Sequence, residues 1–372
     1  MLKIGSIAAV AGFVPAVMGV VPGQALVHPV AKVSHGALRI ALRQHYGPLA
    51  NASGYSVILV AGRDSAWVFG GTNPGGASKP VAARWNGQRL TPSALPAGLA
   101  GFITDAGAVS ARDIWATSEY GRYLLRWDGQ RWSLVRTWPH GTITGLTVAG
   151  QRSVWVFSTT AAGVRQGGTW HFNGRSWARV SGLAGQIYRA SALSRQDVWA
   201  VAAGERADSI VRFNGSRWWR VRTGAALAGV RAHDILAMSD RNVWVIGNQA
   251  SKSGTGRLAL LHWNGKTWAR EPSKLDAWAG RLAPGWHGDV LMTATPEGTA
   301  AAAGLILRAS PAGLVSVTMI RSAQGSGVSD IALSRGTRTV LVAGGVLTEL
   351  GGDAAIWAGR VPPAAARPDD DD

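Results

Sequence analysis

A short tryptophan-centred motif recurs along the chain and constrains it more than any other feature. It reads SAWVFG around Trp67, DIWATS around Trp115, SVWVFS around Trp155, DVWAVA around Trp199 and NVWVIG around Trp244. Two degenerate copies follow, DVLMTA at Leu291 and TVLVAG at Leu341. The steps between anchors are 48, 40, 44, 45, 47 and 50 residues. A unit of that length cannot bury its own apolar face and must stack on copies of itself. A second motif lies inside each period: RWNGQRL (84–90), RWDGQRW (126–132), HFNGRSW (171–177), RFNGSRW (212–218) and HWNGKTW (262–268). Asn-Gly or Asp-Gly between alternating aromatic runs marks a tight hairpin, because both residues tolerate positive φ. A short strand-like run such as IYRASALS precedes the anchors, and Ser110, Ser194 and Ser239 each stand five residues before their Trp. The unit reads as four antiparallel strands, A to D.

Seven four-stranded units predict an all-β, seven-bladed β-propeller, in which radial closure hides most sheet edges. Thirteen of the 18 Trp fall at repeat positions, and the spacing predicts that these large rings fill the space between blades. The seventh unit has no strand D after Arg360, because the chain turns to Pro362-Pro363, which cannot feed a ladder. The alternating segment Leu38–Arg43 is expected to supply that outer strand and close the ring. The DVWAV…RWNGxxW pattern resembles the secreted propeller repeats of actinobacteria, related to kelch and Asp-box propellers, over about residues 55–361. Gly70-Gly71 and Gly344-Gly345 after apolar strands are similar to the kelch doublet. The resemblance implies the fold and leaves the ligand open.

Residues 1–25 read as an export signal: Lys3, an uncharged run from Ile4 to Val21, then Gly23-Gln24-Ala25 as a small-x-small cleavage site. An N-terminal membrane anchor is the alternative, though the run is short for a span and holds Pro15. Residues 26–361 are expected to be a single propeller domain, and 362–372, ending in four Asp, a solvated disordered acidic tail. The expected location is secreted, or the cell surface if the anchor is kept. The chain has no Cys, which excludes disulfides, thiolate metal sites and a Cys nucleophile.

Loop lengths identify the working face. The A–B and C–D turns are nearly constant, whereas the distance from the strand B anchor to the strand C aromatic ranges from 12 to 19 residues. In an up-and-down blade the B–C and D–A loops emerge together, so the variable loops share one face, and binding lives on such loops. The ligand-binding candidates there are Glu119, Tyr120, Arg122, Trp138, Glu205, Arg206, Asp208, Trp278 and Glu297. Aromatics beside acids and arginines suit a sugar surface, with the indole against the apolar face of a pyranose.

No catalytic residue or metal ligand set is assigned, and no cofactor is expected. Glu119, Glu205 and Glu297 would suit glycoside hydrolysis only if two carboxyls came within ~5–9 Å. Asp113, Asp197 and Asp289 share one repeat position and read as turn residues accepting backbone N–H groups. The eight His show no ligand spacing; His171 and His262 replace Arg at a repeat position and read as structural. The formal charge is +17, with Arg84, Arg126, Arg212, Arg89, Arg131 and Arg217 expected around the outer rim. That ring implies weak attraction to anionic polymers and no specific nucleic-acid site. The expected function is an exported binding or scaffold module for an extracellular glycan, cell-wall polymer or protein. A glycan hydrolase and an anchored surface structural protein are the alternatives, and a membrane partner enters only if the N-terminal segment is retained.

Overall fold

The computed structural model describes residues 43–46, 53–62, 65–73, 78–118, 122–138, 141–160, 168–180, 186–204, 207–250, 256–285, 288–297, 303–310, 313–321, 325–334, 336, 338–348 and 351–360. The proposed signal (1–25) and acidic tail (362–372) lie outside them. The described residues form 28 strands in seven four-stranded antiparallel sheets and no helix. Blades one to six run in chain order, covering 53–93, 103–137, 141–180, 186–220, 230–271 and 277–320. Blade seven takes strands A to C from 326–360. Its outer position is held by β1 (Arg43–Tyr46), paired with β28 (Gly351–Arg360) so that Arg43 faces Ala358 and Tyr46 faces Ala355. The pairing thus falls on Arg43–Tyr46, C-terminal to most of the Leu38–Arg43 segment read from alternation; Leu38–Leu42 lie outside the described residues.

The innermost strands are β2 (Ser53–Val60), β6 (Ile103–Ser110), β10 (Gly141–Gly150), β14 (Gln186–Ser194), β18 (Val230–Ser239), β22 (Ala277–Pro284) and β26 (Ser326–Ser334). They touch in a closed circuit, β26 returning to β2. The apolar core is divided into seven clusters, one at each junction between neighbouring blades. The repeated aromatics explain why. Trp67 of blade one packs on Trp127 and Trp132 of blade two at 4.9 and 5.3 Å. Trp155 meets Phe213 and Trp218 of blade four at 4.8 and 5.4 Å. The strand B Trp of blades one to four is therefore met by the strand C and D rings of the next blade, Trp244 of blade five packs on aliphatic residues of blade six, and no blade buries its own Trp alone.

Two repeat positions work differently from the sequence expectation. In the C–D hairpins positive φ falls on Gly alone, as at Gly129 (99°) and Gly215 (93°). The preceding Asn or Asp instead acts through its side chain: Asn214 Oδ1 accepts the N–H groups of Ser216 at 3.1 Å and Arg217 at 3.0 Å. Asp128 does the same for Gln130 and Arg131. The other correction concerns Asp113, Asp197 and Asp289. Their carboxylates are not simply turn acceptors: they pair with Arg126, Arg212 and Arg308 on strand C of the same blade. Where strand C carries His171 or His262, the partner is Ser153 or Asn242, each at 3.0 Å. Burial lowers the pKa of both His, so a neutral ring meets a neutral partner. In blades two to five the Arg or His then lies on the strand B indole, with Arg212 4.5 Å from the Trp199 centroid and His171 stacked 4.0 Å from that of Trp155. Part of the basic charge assigned to the rim is thus neutralised and packed.

Candidate functional site at the loop face and channel

The constant turns share one face. An added Cβ on Gly215 or Gly265 of the C–D hairpins would meet Gln196 or Arg241 of the A–B turns at 3.0 and 2.7 Å. The variable loops gather on the opposite side: Trp138 N–H donates to Arg122 O at 2.9 Å, and Glu297 N–H to Asp276 O at 3.2 Å. On that face Trp278 stands out, with 47% of its surface exposed although it is the second residue of an innermost strand. Its backbone is clamped on both sides. Asn248 Nδ2 donates to Ala277 O at 2.7 Å, and Asn248 Oδ1 accepts from Ala279 N–H at 2.9 Å. Gly256 leaves room for the ring, since a Cβ there would sit 3.1 Å from an indole carbon. Beside it lie the exposed Arg257–Asp276 pair at 3.8 Å and Glu297, half-buried, whose Oε2 has no hydrogen-bond partner among the described residues.

The other candidates separate from this group. Arg122 is exposed, but it belongs to blade two. Trp138 is 2% exposed and packs against Trp170 and Trp177, so it offers no face to a sugar. Asp208 is buried, accepting from Tyr188 Oη at 3.1 Å, Ala232 N–H at 2.9 Å and Arg231 Nη1 at 3.0 Å; it joins blades four and five. Glu119, Tyr120, Glu205 and Arg206 lie outside the described residues.

The channel holds residues that sequence reading missed. Every strand A skips residues in its register near its start, one in six blades and two in blade six. This bulge redirects the chain toward the axis. The residues beside it are Val57, Asp105, Gly145, Arg189, Asp234, Arg281 and Asp330. Arg281 of blade six reaches Asp105 of blade two at 3.3 Å and Asp234 at 3.8 Å, and Arg189 lies 3.8 Å from Asp105. Five charges from five blades thus converge within the channel, toward the loop face. Burial pulls the Arg281 pKa down, but Asp234, Asp105 and Asp330 together raise it, so it stays charged. Burial lifts Asp330 to about 6, against the pull of Arg281. His233 is lowered by burial and by Arg189. One signal was present: Asp105, Arg189, Asp234 and Arg281 each stand ten residues before their anchor.

The same ring ties blades together. Asp105, Asp234 and Asp330 accept the N–H of Leu146, Leu282 and Ile58 in the following blade at 2.9, 2.8 and 2.9 Å. Thr144 and Tyr188 donate to the carbonyls of Ile187 and Ala232 in the following blade at 2.8 and 2.6 Å, and Ser56 donates likewise to Ile103. Among the described residues no group of acids and His is arranged to hold a metal, and no helix is long and apolar enough to cross a membrane.

No family model matches the chain, and no curated protein matches it in sequence. Its fold is similar to solved propeller structures. YCF48 bound to a D1 peptide superposes with a TM-score of 0.61 at 16% identity, over 90% of this chain and 100% of that one. A catalytically inactive virginiamycin B lyase from Staphylococcus aureus with quinupristin gives 0.58 at 13% identity, over 86% and 99%. The extracellular domain of a putative one-component system from B. thetaiotaomicron gives 0.59 at 12% identity, over 87% of this chain and 41% of that one. These likenesses establish the seven-bladed fold.

Proposed function

We propose that this protein is an exported binding propeller, without catalytic activity, that takes an extracellular glycan, cell-wall polymer or protein on its variable-loop face. Trp278 carries the reading. It is a large ring, half exposed at the inner edge of that face, on a backbone locked by Asn248. Rigid aromatic anchors of this kind dominate binding surfaces. A peptide is bound by one structural neighbour and another is an extracellular domain, which supports a binding role on this scaffold. Export rests on the 1–25 segment, and mature protein beginning at Leu26 would support it.

The test is a glycan and peptide array probed with the mature protein at low and high salt. A neutral glycan or peptide that stays bound at high salt, and loses about tenfold or more in Trp278→Ala, is the expected result. Retention of full affinity by that variant, or no salt-resistant ligand, overturns the reading.

A further inference from the structure

Neighbouring blades diverge with distance from the axis, so their outer strands leave wedges between them. Between blades four and five this wedge opens into a cleft of about 790 Å3. One wall is β17 (Trp218–Arg220) and the turn that follows it; the other is formed by the ends of β20 (Gly256–Trp263) and β21 (Trp268–Glu271).

One side chain of the cleft sets blade four apart from its equivalents. The cross-strand ladder is Trp199, Arg212, Trp219 in blade four. The third place is Thr91, Ser133, Ala178 and Ala269 in blades one, two, three and five. Trp219 is therefore an aromatic at a position that holds a small residue in those four blades, and it is 37% exposed. Arg212, already paired with Asp197, lies 5.9 Å from its ring centroid. Beside it stand Arg222 and Lys266, with Arg220 at the rim on the other face of β17 opposite Val211; all three are exposed and without an ion pair among the described residues. Arg270 closes the base, held by the Ala226 and Ala228 carbonyls and Gln249 Oε1 at 2.7–3.1 Å. No carboxylate lines the cleft.

We infer that this cleft binds an acidic polysaccharide, one pyranose resting its apolar face on Trp219 while carboxylates on neighbouring sugars meet Arg220, Arg222 and Lys266. Charge sets the sign of the ligand, because three cations here face solvent with no acid to neutralise them. The aromatic layout sets its class. Single-stranded nucleic acid needs successive platforms for successive bases. Here Trp263 and Trp268 are half-buried and tilted 40° to each other, leaving Trp219 as a single platform, which suits one sugar ring.

One wall of the cleft is the D–A loop of blade four, at the outer edge of the ring, whereas Trp278 stands on an innermost strand of blade six, so the Trp219 and Trp278 variants test the two readings separately. The full chain is titrated by calorimetry with oligogalacturonate, with a neutral dextran oligosaccharide and with oligothymidylate. Binding is expected to oligogalacturonate alone, weakened by about tenfold or more in Trp219→Ala and lost in the triple Arg220→Ser, Arg222→Ser, Lys266→Ser variant. A control variant, Arg89→Ser, Arg131→Ser, Arg175→Ser, removes the same charge from hairpins of blades one to three and is expected to bind as the parent does. Thermal midpoints confirm folding in each case. Equal loss in the control variant would reduce the effect to the overall field. Tighter binding of oligothymidylate would reassign the cleft to nucleic acid. Full affinity in Trp219→Ala, or no binding to oligogalacturonate, would overturn the inference.

Discussion

The molecule carries two concentrations of charge, and they are built on opposite rules. The channel gathers Asp105, Arg189, Asp234, Arg281 and Asp330, each sign beside the other and largely out of water. The outer cleft gathers Arg220, Arg222 and Lys266 in the open, with no acid among its walls. In the channel every charge has a partner that cannot leave, so the group acts as part of the scaffold. In the cleft the counter-charge must come from solution. A count of basic residues cannot tell these two situations apart; the presence of a fixed partner can.

The largest break in this comparison is Arg281→Leu. Removing the cation that spans blades six and two leaves Asp105, Asp234 and Asp330 to share Arg189. Loss of one partner from a buried ionic group costs about 3–5 kcal/mol, so the urea midpoint should fall sharply; an unchanged midpoint would show that the channel charges are solvated and dispensable.

Next is Asp330→Asn. Burial raises Asp330 from its ordinary value to about 6, so the folded protein holds this proton more tightly than the unfolded chain. The associated stability is full below about pH 4 and lost as pH rises through about 6, by an amount on the order of 3 kcal/mol. Chemical denaturation across that window should show parental stability declining with pH, and the decline should flatten in the variant. The smallest expected effect is in the cleft: stability of the Arg220→Ser, Arg222→Ser, Lys266→Ser protein should stay within about 0.5 kcal/mol of the parent. A larger drop would mean these cations are structural after all.

The architecture was legible because its signals are local and repeated. A tryptophan inside an apolar strand and an Asn-Gly hairpin recur with fixed spacing, and both are read from a few neighbouring residues. Blade number, strand number and the face carrying the variable loops all follow from that spacing. The site was less legible. Trp138 and Trp278 look alike in sequence, both lying just outside a repeat, yet one is sealed against Trp170 and Trp177 and the other is open. Exposure depends on what the adjacent blade places opposite, and that is not a local property. The Asp–Arg and Ser/Asn–His alternation was present in the repeats, but pairing Asp197 with Arg212 requires knowing which strands are neighbours. The channel charges escaped notice for a related reason. The constant distance from the anchor, kept by all but Asp330, is plain once the bulge is known, while the residue types alternate in sign and so mimic ordinary surface variation.

The straps between innermost strands have a consequence for how such a ring can change in size. In each the reaching group is a side chain, and what it grasps is a main-chain N–H or carbonyl of the following blade. Every blade offers those main-chain groups whatever its sequence. The ring is therefore linked head to tail by a grammar in which any unit can follow any other, and duplication or loss of one unit breaks no strap specific to a neighbour's side chain. The bonds that do count blades are those that skip a neighbour. Arg281 and Arg189 meet Asp105 only when the right number of units separates them around the circle, so these two guanidinium groups make a permissive chain of repeats into a ring of fixed membership.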